Sequence, residues 1–176
     1  RVAELISADG EARPQIAVAS QRVYVSWTQA LPQAFAGHIR FAVSGDGGQT
    51  FSGPVTINDD RAPITHRFNT MLADQKGVTL AWIDKRDGNG NPDYVGAAIY
   101  SARSRDGGRS FAANTKLADH SCECCRLGIA ADRDGTPVVF WRHGFGRNVR
   151  DFALARIGEP MLRVSEDGWK LDACPH

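Results

Sequence analysis

An eight-residue segment that occurs twice constrains the fold of this chain more than any other feature. Residues 44–51 read Ser-Gly-Asp-Gly-Gly-Gln-Thr-Phe, and residues 104–111 read Ser-Arg-Asp-Gly-Gly-Arg-Ser-Phe. The two segments share five identical positions and lie 60 residues apart in a chain of 176. Self-similarity at such a period is typical of a fold built from repeated supersecondary units. The repeat therefore predicts several modules of this length within the chain.

A second repeat fills the rest of each module. An arginine opens an apolar run, a polar turn follows, and a second apolar run ends in tryptophan. These pairs are Arg13 and Trp27, Arg67 and Trp82, and Arg126 and Trp141. Because the runs are short and rich in Val, Ile, Tyr and Trp, they indicate strands rather than helices. A third strand is predicted before each Ser-x-Asp-Gly-Gly segment and a short fourth strand after it; in the third module that turn is replaced by Gly158-Glu-Pro-Met.

Four antiparallel strands in each 50 to 60 residues are typical of a β-propeller blade. We therefore predict an all-β chain of three four-stranded antiparallel blades, at approximately residues 1–53, 54–114 and 115–176. Because propellers close with about four to eight blades, the ring needs a second copy of the chain or blades outside it. A strand-like start at residues 2–6 and a first-strand-like end at residues 174–176 favour a piece of a six-bladed ring.

The repeated turn segments resemble the Asp-box, or bacterial neuraminidase repeat, of the sialidase-like β-propeller family. In such a turn the aspartate can accept backbone N–H groups, the glycines can take positive φ and the hydroxyls can bond across the turn. Each phenylalanine is expected to pack between neighbouring blades. We favour this structural role over a catalytic or calcium-binding one. The residues concerned are Ser44, Asp46, Gly48, Phe51, Ser104, Asp106, Gly108 and Phe111.

Three arginines at equivalent positions are the predicted ligand-binding residues. Arg13, Arg67 and Arg126 are expected at the start of the innermost strand of each blade, pointing toward the propeller axis. Converging guanidiniums suit bidentate capture of a carboxylate. The pattern resembles the arginine-bearing R-I-P segment of sialidases, whose arginine triad holds the sialic acid carboxylate, although none of the three is followed by Ile-Pro. The alternative is a structural arginine that pairs with a neighbouring blade.

The resemblance implies an exo-glycosidase, or a binder, of terminal sialic acid or a related acidic sugar. Sialidase-type hydrolysis needs a general acid and a nucleophile, which is usually a tyrosine assisted by a carboxylate. Asp84 and Tyr94 are the candidates for these two roles because both are expected in loops on the arginine-bearing face. The alternative for each is an ordinary solvated loop residue. The expected partner is a glycan or another acidic small ligand.

The cysteines suggest a second function. Cys122, Cys124, Cys125 and Cys174 all fall where a blade begins, so disulfides are expected, with Cys174 bridged to one of the other three. The alternative is a Cu(I) or Zn(II) site that also uses His120 or His176. No other cofactor is expected. The competing function is therefore a non-catalytic extracytoplasmic propeller that binds a metal or a protein partner through this Cys/His-rich face.

Charge and hydropathy exclude other classes of function. The chain has 21 Lys and Arg against 20 Asp and Glu, a formal net charge of +1, so it lacks the basic footprint of a nucleic-acid binder. No apolar run approaches the roughly 18 residues of a membrane-spanning helix. Because disulfides persist in oxidising compartments, we expect a periplasmic or secreted protein whose signal segment is not in this chain.

Overall fold

The computed structural model describes residues 11–146 and 148–171. Within these ranges the chain forms twelve β-strands and one short 3-10 helix, Arg86–Gly88. The strand predicted at residues 2–6 and the segment 174–176 lie outside the described residues. The described part contains no helix long and apolar enough to cross a membrane.

The first blade is a four-stranded sheet in which each strand pairs antiparallel with the next. Its strands are β1 (Gln15–Ala19), β2 (Arg22–Ala30), β3 (Gly37–Ser44) and β4 (Val55–Thr56). Strands β1 and β2 are joined by a two-residue turn, and every residue of β3 pairs with β2. The predicted hairpin and third strand of this blade are therefore present.

The second blade repeats this arrangement. It consists of β5 (His66–Asp74), β6 (Gly77–Asp84), β7 (Ala97–Ser104) and β8 (Thr115–Ser121). The tight turn between β5 and β6 requires glycine at position 77, where φ is +139° and an added Cβ would lie 2.0 Å from the carbonyl oxygen of Ser104. No side chain fits at that position because the end of β7 lies against the turn.

The third blade consists of β9 (Gly128–Ala131), β10 (Pro137–Gly144), β11 (Arg150–Arg156) and β12 (Leu162–Arg163). One residue pair, His143 of β10 and Ser121 of β8, joins this sheet to the second blade. Three four-stranded antiparallel blades confirm the predicted all-β propeller architecture. The sheets of the first two blades extend to Thr56 and Ser121, past the predicted boundaries at residues 53 and 114.

Both faces of the second blade are buried, because each packs on a neighbouring blade. Alternate residues of β6 point to opposite faces. Leu80 and Trp82 pack toward the first blade with Phe41, whereas Ala81 and Ile83 belong to the cluster shared with the third blade. The sequence of β6 is therefore almost continuously apolar. Polar groups of the middle blade that could bind a ligand lie at the strand ends and in the loops.

The two Ser-x-Asp-Gly-Gly segments form turns with the same hydrogen bonds. Ser44 Oγ donates to Asp46 Oδ1 at 2.7 Å and accepts the N–H of Gly48 at 2.8 Å. Ser104 makes the same two bonds at 2.8 Å each. All four glycines of the turns have positive φ, between 72° and 94°. Hydrogen bonds from Thr50 and Ser110 hold the pKa of the two aspartates well below the usual range.

The phenylalanine that follows the second of these turns packs between blades. The ring of Phe111 meets the ring of Phe41, in the first blade, edge-on at a centroid distance of 5.0 Å. Phe51, at the same position after the first turn, is partly buried. Since carboxylate, hydroxyl and glycine are all used within each turn, these residues stabilise the fold and leave chemistry to the opposite face.

Candidate functional site

One face of the structure carries the carboxyl ends of β2, β6 and β10 and the segments that lead into β1, β5 and β9, because adjacent strands run antiparallel. This face carries the three arginines, the loop after Trp82 and residues 122–125, which include three cysteines and are called the cysteine segment below. Only Arg67 is inside a strand, since β1 begins at Gln15 and β9 begins at Gly128. The prediction that all three arginines start the inner strands is thus wrong by two residues for Arg13 and Arg126.

Arg67 is buried and held on two sides. Its guanidinium lies 3.1 Å from Glu11 Oε2 and over the rings of Phe35 and Phe68, at 5.3 and 4.7 Å from their centroids. Phe68 adopts a left-handed φ of +53° at a β-bulge between β5 and β6. This bulge turns the Phe68 ring toward the arginines, and Arg67 itself is buried.

Arg126 comes to the same place from the third blade. Its Nη2 donates to the backbone oxygen of Glu11 at 2.8 Å, and its guanidinium lies 5.4 Å from the centroid of Phe68. Arg13 and Arg126 line one cavity of about 240 Å³ together with Phe68 and Asn69. The structure therefore brings the three arginines together around Phe68, with two of them facing a cavity and the third supporting them.

A buried ionic network fills the seam between the first two blades. His66 is fully buried; its Nδ1 lies 2.7 Å from the Gly37 carbonyl oxygen, and its Nε2 lies 3.0 Å from the carboxylate of Asp60. Asp84, also fully buried, lies 3.7 Å from the same Nε2. Arg86 donates to Asp84 at 2.8 Å and lies 3.5 Å from Asp60.

Asp60, His66 and Asp84 have the donor atoms of a metal site, and they lie within 4.8 Å of one another. The guanidinium of Arg86, however, already supplies the cation that these carboxylates need. Asp84 Oδ1 accepts the backbone N–H of Arg86. Asp84 Oδ2 accepts the indole N–H of Trp82 at 2.8 Å. The prediction of Asp84 as a general acid is corrected, because a buried, ion-paired carboxylate cannot reach a substrate.

Tyr94 lies in the loop between β6 and β7, as predicted, but with surroundings that keep it protonated. Its hydroxyl donates to Asp119 Oδ1 at 2.7 Å. Partial burial, with this hydrogen bond, raises the pKa of Tyr94 above its ordinary value. Since a nucleophilic tyrosine needs a lowered pKa, the geometry does not favour that role for Tyr94.

The cysteine segment lies where the chain enters the third blade. The Sγ atoms of Cys122 and Cys125 are 2.6 Å apart, and that of Cys124 lies 3.6 Å from Cys122. Cys125 carries a free thiol, whereas Cys124 is disulfide-bonded. The hydrogen bond between the two thiols lowers the pKa of Cys122. All three sulfurs lie within 4.8 Å of one another.

The histidines predicted near the cysteines are not assembled around them in the described part of the chain. The Nδ1 of His120 lies 2.8 Å from the carbonyl oxygen of Val95, and its ring lies beside that of Tyr94. His176 and Cys174 lie outside the described residues. His143, which sequence reasoning did not select, is buried in the third blade, and its burial lowers its pKa to about 4.

A larger cavity lies on the other face, away from this chemistry. Its volume is about 760 Å³, and it is lined mainly by the turns of the first two blades, including Arg22, Asp74 and Asp106. Because Asp106 is saturated by hydrogen bonds within its own turn, size alone does not make this cavity the candidate site. The cavity of about 240 Å³ is lined instead by the guanidinium-bearing residues Arg13 and Arg126.

Sequence reasoning missed Glu11, Phe68 and Arg86. Each acts through a tertiary contact: Glu11 bridges two arginines, Phe68 lies beneath them, and Arg86 neutralises buried carboxylates. One signal was available for Arg86, since Asp84-Lys-Arg-Asp87 directly follows an apolar strand and such a run must pair its charges. No comparable signal marked Phe68, whose conformation arises from the bulge.

The fold is a β-propeller of the kind found in glycoside hydrolases. The structure matches a Hadza microbial sialidase with a TM-score of 0.55 and 16% identity, over 84% of this chain and 36% of that one. It matches an α-L-arabinanase of Penicillium chrysogenum with a TM-score of 0.57 and 13% identity, over 90% and 52% of the two chains. An endo-arabinase of Bacteroides thetaiotaomicron matches with a TM-score of 0.55 and 14% identity, over 91% and 61%.

At these identities the likeness shows the fold and no more. The chain spans between about a third and three fifths of the length of these structures. No protein-family profile and no curated protein matches the sequence. The glycosidase-like propeller fold is therefore established, while the ligand of this chain has to be argued from its own residues.

Proposed function

We propose that the face carrying Arg13, Phe68 and Arg126 binds the carboxylate of a terminal acidic sugar, sialic acid or a relative of it. The observation that supports this most is the cavity of about 240 Å³ lined by arginines from two blades. A planar guanidinium donates two parallel hydrogen bonds to a carboxylate. The likeness of the fold to sialidase and arabinanase structures supports a sugar as the rest of the ligand.

Arg67 acts in this proposal as a positioning residue. It is buried between two aromatic rings and ion-paired to Glu11, whose backbone oxygen accepts a hydrogen bond from Arg126. Arg67 thus fixes Glu11, and Glu11 fixes Arg126. Among the described residues Arg13 has no ion-pair partner, so its charge is available to a ligand.

The proposal concerns binding rather than hydrolysis. The described residues that line the cavity are Arg13, Gln15, Phe68, Asn69, Arg126 and Leu127, which include neither a carboxyl group nor a tyrosine. Hydrolysis would need both an acid and a nucleophile in reach of the sugar. Turnover of a fluorogenic sialoside by the protein would add catalysis to the proposed binding.

Calorimetric titration with N-acetylneuraminic acid tests the proposal. Arg13→Gln and Arg126→Gln should each weaken binding about ten-fold, since a charge-assisted hydrogen bond contributes about 1.5 kcal/mol. The matched control is Arg133→Gln, in the exposed β9–β10 turn, where the arginine side chain is 93% exposed. Equal affinity in all four proteins, or no binding by any of them, would contradict the proposal.

The proposal includes a location outside the cytoplasm and a larger ring. Cys124 is disulfide-bonded, and disulfides persist in oxidising compartments. Three blades need partners to close, either a second copy or further blades of the same protein. Light scattering on the chain distinguishes these, since a symmetric pair has twice the monomer mass of 19.1 kDa.

A second candidate function is binding of a soft metal ion by the cysteine segment. It is favoured by three sulfur atoms within 4.8 Å of one another. Cu(I) and Zn(II) prefer thiolate ligands. Because Cys124 is disulfide-bonded, this candidate requires its disulfide to be reduced first. Metal analysis of the reduced protein tests it, and an equimolar content of copper or zinc is the supporting result.

A further inference from the structure

The cavity of about 760 Å³ lies on the face opposite the proposed sugar-carboxylate site, between four turns of the first two blades. They are the β1–β2 and β3–β4 turns of the first blade and the β5–β6 and β7–β8 turns of the second. Its volume is in the range of small-molecule sites. Three arginines line it, namely Arg22, Arg105 and Arg109. We propose that this cavity binds a small organic molecule that carries more than one sulfate or phosphate ester group.

The charge of these three arginines is not used within the described part of the chain. None of their guanidiniums forms an ion pair, a hydrogen bond or a ring contact with another described residue, and Arg109 bonds to Asp106 only through its backbone N–H. On the same face of the third blade, by contrast, Arg156 pairs with Asp132 and with Glu159. The first two blades therefore present positive charge at a place where the third blade neutralises it.

Two carboxylates also line the cavity, and both accept hydrogen bonds within their own turns. Asp106 accepts the hydroxyls of Ser104 and Ser110 and two backbone N–H groups of the same turn. Asp74 Oδ1 accepts the backbone N–H of Lys76 at 2.6 Å. Because three guanidiniums face two carboxylates, the lining has an excess of positive charge. An anion is therefore the kind of ligand that the cavity favours.

Arg22, of the first blade, lies against the repeated turn of the second. A Cβ added at Gly107 would overlap Nη1 of Arg22, so this glycine leaves the space that the guanidinium occupies. The equivalent glycine of the first repeated turn, Gly47, has nothing within 4 Å of such a Cβ. The contact across the seam therefore positions the Arg22 guanidinium at the wall of the cavity.

A buried tyrosine adds a neutral hydrogen-bond donor to the same wall. Tyr24 lies two residues after Arg22 in β2, so the two side chains leave the same face of the strand. Tyr24 lines the cavity and is 3% exposed, and its hydroxyl has no hydrogen-bond partner among the described residues. Because a buried tyrosine hydroxyl usually finds a partner, a ligand oxygen would satisfy this one.

Sulfate and phosphate esters match this set of donors. A tetrahedral ester group offers several acceptor oxygens, so one group can accept from a guanidinium and from the Tyr24 hydroxyl at once. Arg22 is half-buried at the wall, whereas Arg105 and Arg109 are exposed on a turn of the other blade. Arginines on two turns of a cavity of this size suit a ligand with several anionic groups better than a single small ion.

Calorimetric titration of the intact protein with sucrose octasulfate and with inositol hexakisphosphate tests the proposal. At low ionic strength at least one of the two anions should bind, and sucrose should not; the tighter probe shows which ester the cavity prefers. Arg22→Gln and Arg109→Gln should each weaken binding about ten-fold, and Tyr24→Phe about three-fold. The matched control is Arg133→Gln, in an exposed turn of the third blade on the same face, which should bind as the unaltered protein does.

Arg13→Gln and Arg126→Gln separate this site from the proposed sugar-carboxylate site. Both variants should retain the binding of the two anions. Loss of binding in them, with no change in Arg22→Gln and Arg109→Gln, would assign the anions to the other face and overturn the proposal. Binding of neither anion, or equal affinity in every variant, would overturn it as well. Should Arg22→Gln fail to fold, Arg109→Gln decides the question, because its side chain is exposed.

Discussion

The second and third blades carry different chemistry at the same three positions on the arginine-bearing face. Counted from the arginine and tryptophan repeats, the positions are occupied by His66, Asp84 and Arg86 in blade 2 and by Cys125, His143 and Phe145 in blade 3. The indole N–H of the tryptophan bonds the middle residue in both, at 2.8 Å in blade 2 and 3.4 Å in blade 3. The repeat thus fixes where these side chains lie and leaves their chemistry free to change.

The difference shows how one scaffold divides its tasks. In blade 2 a guanidinium neutralises two carboxylates, and the seam to blade 1 is a saturated ionic network. In blade 3 the same positions hold a thiol, an uncharged histidine and an aromatic ring, with Phe145 packed on His143 at a centroid distance of 4.7 Å. We therefore expect blade 2 to contribute mainly to stability and blade 3 to contribute reactivity.

The largest expected effect is at the cation of blade 2. Arg86→Leu should lower the free energy of unfolding by about 3 kcal/mol, because the fully buried Asp84 loses its partner. Urea unfolding followed by tryptophan fluorescence measures this. Arg133→Leu, at an exposed turn, is the control and should change stability little. A loss below about 1 kcal/mol for Arg86→Leu would show that the network is not what closes the seam.

His143 gives the stability of blade 3 a dependence on pH. Burial first, and then the charge of His120, lowers the pKa of His143 from 6.5 to about 4. Between these values the unfolded chain binds more protons than the folded one, so stability is complete above pH 6.5 and is lost as the pH falls toward 4. The expected loss by pH 4 is about 3 kcal/mol, since one pKa unit corresponds to about 1.4 kcal/mol.

His143→Gln should flatten this part of the pH profile in equilibrium unfolding. His38, whose pKa burial also lowers, contributes to the same window, and His38→Gln measures its share. A profile of the His143 variant that remains as steep as that of the unaltered protein would assign the effect elsewhere.

A smaller effect is expected at the third position of blade 3. Phe145→Leu keeps an apolar side chain but removes ring contacts with His143 and with the guanidinium of Arg163, which lies 4.5 Å from the Phe145 centroid. The expected cost is about 1 kcal/mol. Thermal unfolding compares it with Val164→Ala, a half-exposed control. If the leucine variant cost as much as Arg86→Leu, the two blades would not differ in the way described.

The smallest effect on stability is expected at the ion pair that joins the loop after β6 in blade 2 to the cysteine segment before blade 3. Lys85 Nζ, in the loop after β6, lies 3.0 Å from Glu123 in the cysteine segment, and both side chains are substantially exposed. Lys85→Ala should therefore cost about 0.5 kcal/mol or less, and the difference should vanish at high salt. A salt-independent loss in denaturant unfolding would reveal a tighter coupling of the blades than this geometry allows.

The fold could be predicted from sequence because its signals are local and repeated. The third strand of blade 2 was expected at residues 97–103 and is observed as Ala97–Ser104. Errors occurred where the chain departs from the repeat. The fourth strand of blade 2 continues to Ser121, and β9 begins only at Gly128. The cysteine segment between them is held by a hydrogen bond from the Cys122 N–H to the carbonyl oxygen of Arg142 rather than by strand pairing.

The candidate site was predictable in position more than in detail. That arginines from all three blades meet on one face follows from their register, but Glu11 is the residue that ties Arg67 to Arg126. The burial of Asp84 depends on Arg86 folding back onto it, which no spacing rule conveys. The partners of charged side chains depend on tertiary contacts, whereas strands and turns depend mainly on the local sequence.

The central claim is that Arg13 and Arg126 recognise a sugar carboxylate, and a pair of ligands tests it most directly. Binding of sialyllactose and of lactose to the unaltered protein should be compared by calorimetry at low ionic strength, where charge pairing is least screened. The account predicts measurable binding of sialyllactose and none of lactose, with the affinity falling as salt is added. Equal binding of the two, or tighter binding of lactose, would contradict it.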